Sequence, residues 1–322
     1  MYLISYSWKE FFYYLKYYLM NKKLYYLNMH NNIEKLKVHG IHISGDYLCP
    51  LCMNVFNENE VMTILTEEDV PQCSLGGKRI ALTCRKCNST CGSEIDIHLL
   101  NAIKSRERKL FLPDNKRKIH VEKDGQRINA ELQVEEDKSI KLFINEKNNN
   151  PHIWTDFHDK KLLPNELVNI EEIPLKKDER RIGAAIIKNA YLLLFEKTGY
   201  SFLYDSYYDD IRKQIFEPEV FHLPERLWTL QNIQIPDGIY LTGDNRYRGF
   251  FVVYTLKLKL EYRVCVLIPT PMVPYLAATK ELGKIEANCP IRIMRMPELD
   301  YLNDDNAISR LRKWCYGWDL KL

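Results

Sequence analysis

The chain has 322 residues, 28% of them charged and 46% apolar, with a formal net charge of +3. That length suits two or three domains of ordinary globular composition. A charge so close to balance excludes a global nucleic-acid signature, so any contact with phosphates has to come from a local patch.

Residues 1–44 form an aromatic-rich N-terminal segment. Lys9, Glu10, Lys16, Lys22 and Lys23 interrupt every window of about 20 residues that a membrane span would need, and no secretory cleavage pattern follows Met1. An aromatic helix with Trp8, Phe12, Leu15 and Leu19 on one face is expected; a translation start at Met29 is the plainer alternative. Nine cysteines are present. An odd, scattered remainder (Cys73, Cys91, Cys265, Cys289 and Cys315) argues against a disulfide framework and for a reducing, cytoplasmic setting.

The chain is organised around Cys49–His98. Two CxxC pairs, Cys49/Cys52 and Cys84/Cys87, bracket 31 residues. Four thiolates in two such pairs match the tetrahedral preference of a structural Zn²⁺. A redox CxxC is the alternative, but it belongs beside a βαβ pattern that is not visible here. Met62–Thr66 and Ile80–Thr83 read as the strands of a hairpin, Pro71 and Gly76-Gly77 as its loop. A helix is expected from Asn88 or Ser89.

The order CxxC, Glu68-Asp69-Val70-Pro71, Leu75-Gly76-Gly77, Leu82-Thr83-Cys84-x-x-Cys87-Asn88, Gly92-Ser93-x-x-Asp96 resembles the HNH endonuclease family. It covers about a fifth of the chain. The resemblance implies an HNH-like ββα-metal zinc module over residues 45–112. It further implies a metal-dependent DNA endonuclease that hydrolyses phosphodiester bonds, in a mobile-element or anti-phage defence setting. In that family the acidic residue is followed by a general-base histidine; here the base position holds Asp69. Asp69, Asn88 and Glu68 are the implied catalytic residues, with Asn88 shaping the loop. Asp69, Asp96 and His98 are the implied ligands of a catalytic Mg²⁺ or Mn²⁺. Asp96 and His98 are two residues apart and cannot both face one ion from a regular helix. A carboxylate is a poorer base than imidazole near neutral pH, so a catalytically inactive zinc-stabilised DNA-binding or protein-interaction module is the alternative. Lys78, Arg85, Lys104, Arg106, Arg108 and Lys109 are the candidate phosphate contacts.

Residues 113–322 are expected to continue as an antiparallel-β and helical region, giving an α+β chain. Residues 118–145 read as a β-meander with a turn at Asp124-Gly125. Arg181–Phe195 is a helix apolar over most of its circumference and ends at Gly199. Tyr191 is read as a core group and Arg212 as a surface group. Tyr207–Phe216 reads as a second helix. Residues 238–268 alternate as a half-exposed hairpin, offering a surface for nucleic acid or a protein partner. Trp314 and Trp318 mark a docked C-terminal helix.

Overall fold

A computed structural model describes residues 8–123, 125–159, 168–223, 226–230, 234–242, 244, 247–286 and 292–320. The chain divides into two compact units: residues 1–99 with 178–322, and residues 100–177. The region 113–322 is therefore shared between both, and the meander unit interrupts the other in sequence.

The first unit begins with helix α1 (Trp8–Val38), the short pair β1 (Tyr47–Leu48) and β2 (Val55–Phe56), and helix α2 (Glu58–Ile64). The stripe expected on Trp8, Phe12, Leu15 and Leu19 lies outside the described side chains. Strands β3 (Leu65–Val70) and β4 (Lys78–Cys84) form an antiparallel hairpin. Gly76 turns the chain at φ +83°, and a Cβ on Gly77 would sit 1.3 Å from the Pro71 carbonyl oxygen. The pair is thus fixed by backbone geometry, one for its dihedral and one for its close approach.

Helix α3 (Arg85–Cys91) starts three residues earlier than the sequence suggests, because Cys84 itself is the N-cap and its sulfur accepts from Cys87 N. A π-turn over Gly92–Asp96 joins α3 to α4 (Ile97–Lys109). The division between the units falls within α4.

The second unit is a four-stranded antiparallel sheet in the order β7-β6-β5-β8. Its strands are β5 (Lys116–Lys123), β6 (Gln126–Val134), β7 (Ile140–Ile144) and β8 (Asn169–Glu172). The expected meander is there. Helix α5 (Pro151–Asp159) covers it through Phe157, packed among Ile119, Val121, Ile128 and Leu132. Asn101 Nδ2 donates to Lys176 O at 2.8 Å, so this unit enters and leaves at neighbouring points. Asp124 lies outside the described residues.

The first unit resumes with α6 (Glu179–Thr198), capped by Asp178, whose carboxylate accepts from Arg180 N and Arg181 N. Its inner face is buried from Ile182 to Leu192, as its apolar circumference predicts. Helix α7 (Asp209–Phe216) follows. Arg212 is buried rather than on the surface: its guanidinium donates to Tyr191 Oη at 3.0 Å and Leu203 O at 2.8 Å. Strands β9 (Trp228–Thr229), β10 (Gly238–Thr242), β11 (Gly249–Lys257), β12 (Glu261–Pro269) and β13 (Ile293–Arg295) make an antiparallel sheet ordered β13-β10-β11-β12-β9. Helix α8 (Tyr275–Glu286) lies between β12 and β13 in sequence, and α9 (Asp305–Cys315) ends the fold.

The half-exposed face expected for this sheet is a correction. Phe251, Val253, Cys265 and Leu267 pack with Ala278 and Leu282 of α8. On the opposite face Tyr254 donates to Ile186 O of α6 at 3.0 Å, and Phe250 stacks on Phe202. Only the far end of the hairpin, near Lys257 and Glu261, keeps the polar alternation. Helices cover the two faces because the central residues of both strands are apolar without a break.

Candidate metal centre and the buried acidic pair

The first CxxC sits in the turn between β1 and β2. Met53 at φ 57° closes that turn, with Met53 N donating to Cys49 O at 2.8 Å. The second CxxC caps α3. The turn and the cap bring the Sγ atoms of Cys49, Cys52, Cys84 and Cys87 within 4.8 Å of one another. Sulfurs bound tetrahedrally at about 2.3 Å from one ion would lie about 3.8 Å apart; Cys52 and Cys84 are at 3.9 Å. The group is compatible with structural zinc. Backbone donors already face it, Cys84 N to Cys49 Sγ at 3.4 Å and Cys87 N to Cys84 Sγ at 3.5 Å. Such contacts orient and stabilise thiolate ligands. Hydrogen bonding from Cys49 pulls the Cys52 thiol down to about 2 and the Cys84 thiol down to about 6. Burial pushes Cys49 up. A clamp secures the turn from α6's C-terminal side: Tyr200 Oη donates to Leu48 O at 2.5 Å and accepts from Leu48 N at 3.1 Å.

The acidic residues of the hairpin divide between its two faces. A register shift falls between Glu68 and Asp69, where Glu68 pairs with Ala81 and Asp69 with Arg79. Glu67 and Asp69 face Arg79, at 3.0 and 3.9 Å. Glu68 faces inward. Its Oε2 accepts from Thr83 Oγ1 at 3.1 Å, and its Oε1 lies 2.8 Å from Lys188 Nζ. Asp96, set inward by the π-turn, places Oδ2 2.6 Å from the same ammonium. The Lys188 side chain is 0% exposed, those of Glu68 and Asp96 4% and 7%. Burial pulls the Lys188 pKa down, but Asp96 and Glu68 outweigh it and hold the amine protonated. Burial raises Glu68 above its ordinary value despite the nearby ammonium. Lys188 is ionised, because its ammonium sits within hydrogen-bond distance of two carboxylates at once.

The expected ligand set therefore does not converge. Asp69 is half-buried beside Arg79, whereas Asp96 pairs with Lys188 alongside Glu68. His98 is buried on α4 and lies near the charge of Asp178. Among the described residues, the cysteine group is the one cluster of three or more such side chains that could hold an ion. The residues present do not fit a catalytic Mg²⁺ or Mn²⁺. Asn88 does shape the hairpin: its Nδ2 donates to Thr66 Oγ1 and Glu67 O, both at 3.1 Å. Lys78 and Arg85 are exposed, the latter donating to Thr63 O at 3.1 Å. In the second unit Arg106 and Lys109 are exposed and Lys104 half-buried. Arg108 is buried and paired with Glu172 at 3.1 Å, so it is withdrawn from the phosphate contacts.

Lys188 was not picked out from the sequence, though its signal is there: a lysine in the middle of Ile186-Ile187-Lys188-Asn189-Ala190-Tyr191. A cation on a helix apolar all round requires a buried anion. No family model, curated protein or solved structure matches this chain. No described helix is long and apolar enough to cross a membrane.

Proposed function

We propose that the chain carries a zinc-stabilised module of HNH type that binds DNA without cutting it. The carrying observation is the ammonium of Lys188, 2.8 Å from Glu68 and 2.6 Å from Asp96. A fixed internal cation takes up the charge that a hydrolytic metal would need to balance. The strand-turn-strand-helix order around four clustered cysteines supports the HNH-type reading. DNA binding rests on Lys78, Arg85 and Lys86, three exposed basic residues on the hairpin and the helix start. Such side chains contribute through phosphate contacts and counterion release.

The test uses zinc-loaded protein, supercoiled plasmid and Mg²⁺ or Mn²⁺. The plasmid is expected to be retarded, less so as salt rises, and to remain intact. Cleavage that disappears in Asp69→Ala would overturn this reading in favour of an endonuclease. Intact plasmid with no salt-dependent retardation would make the module a protein-interaction staple. Lys78→Ala and Arg85→Ala are each expected to reduce the salt slope by about 1, uniformly across sequences.

A further inference from the structure

A cleft of about 280 Å³ opens beside the first half of α6. Gly183, Ala184 and Ile187 line it from the helix, and the rings of Phe221 and Trp228 from the segment after α7. A Cβ on Gly183 would come within 2.9 Å of Trp228 Nε1, so the indole edge lies against the helix backbone. Phe221 stands 74% exposed. A large ring left in water forgoes the burial stabilisation that aromatic side chains ordinarily gain. Each ring also carries a guanidinium. Arg180 Cζ lies 4.5 Å from the Phe221 centroid, and Arg226 Cζ 5.0 Å from that of Trp228. A guanidinium covers one face of a ring and leaves the other for a second planar group. Two guanidiniums against the single carboxylate of Glu179 in the lining leave the cleft net positive, which favours a ligand that joins a flat π-system to an anion.

We infer that this cleft takes a base of single-stranded nucleic acid, stacked on Phe221, with its phosphates beside Arg180 and Arg226. The inference deepens the nucleic-acid reading above and rests on it. It separates two tasks: the basic hairpin holds a backbone, while the aromatic cleft accepts a base that a paired duplex does not offer.

Labelled oligothymidine of ten bases, an abasic strand of the same length and a duplex would be titrated against the full chain by fluorescence anisotropy. Phe221 is exposed, so Phe221→Ala leaves the core intact. That variant is expected to bind oligothymidine about 5- to 160-fold more weakly, the loss of one base–aromatic stack. Its affinity for the abasic strand and the duplex should match the parent, and Phe221→Trp should restore oligothymidine binding. Equal oligothymidine affinity in Phe221→Ala and parent overturns the base site while duplex binding keeps the broader reading. A parent that binds neither strands nor duplex overturns both.

Discussion

Lys188 holds its ammonium between two buried carboxylates, 2.8 Å from Glu68 and 2.6 Å from Asp96. Replacing it by Met would leave Glu68 and Asp96 buried without a cation, and a stranded buried charge costs about 3–5 kcal/mol. Denaturant melts of Lys188→Met should show that loss. The ammonium supplies the influences that hold Glu68 down, opposing burial. Without them the folded-state pKa of Glu68 climbs further above its unfolded value, so the folded state binds more protons. The variant should therefore regain stability as pH falls from neutral toward the ordinary carboxylate range. In the parent, the raised Lys188 pKa acts with the same sign at higher pH: its contribution is complete below the ordinary lysine value of about 10.4 and is lost as pH rises through the folded value. Two glycines give a cleaner contrast. Gly77→Ala, with its Cβ on the Pro71 carbonyl, should destabilise by about 2 kcal/mol or more. Gly92→Ala has open space around it and right-handed dihedrals, so it should be neutral or stabilise by up to about 1 kcal/mol.

Among the elements, the sulfur cluster and the return strand of the hairpin were the most legible in the sequence; the first strand, expected at Met62–Thr66, runs over Leu65–Val70, because Met62–Ile64 close helix α2, which opens in a capping box at Asn57. Paired cysteines at two-residue spacing, a Gly-Gly turn and Asn88 each state a local geometry, and each is realised locally. The buried α6 was legible too, because eleven of its fourteen buried residues are apolar or glycine, and Lys188 and Asn189 alone interrupt the run from Ile182 to Leu192. What the sequence could not reveal was pairing across long separations. Asp69 and Asp96 looked like partners because both are acidic and near the knuckles, yet a register shift and a π-turn, neither of which has a residue signature, send them apart. Arg212 and Arg108 looked like surface charges for the same reason: their anchors, Tyr191 and Glu172, are brought to them by tertiary structure. For the cluster itself, chelation should unfold the hairpin cooperatively, followed by circular dichroism and zinc release. Affinity for zinc should weaken as pH falls, because Cys49, raised by burial, has to give up its proton on binding.

At the scale of the whole molecule, the meander unit is an insertion with adjacent ends, Asn101 against Lys176. Insertions of that kind are tolerated, and so is their removal, when entry and exit lie close together. A chain in which 102–175 are replaced by a short Gly/Ser linker should still bind one zinc and melt cooperatively; non-cooperative melting or failure to load zinc would count against separable units. The same arrangement sets a timetable for synthesis. Lys188 follows Asp96 by 92 positions, so at about 5–20 residues per second the ribosome delivers the cation several seconds after the two carboxylates it neutralises. In that interval the nascent hairpin has its sulfurs but not its counter-ion, and a chaperone or a captured metal ion would meet an open acidic pocket that the finished protein never displays.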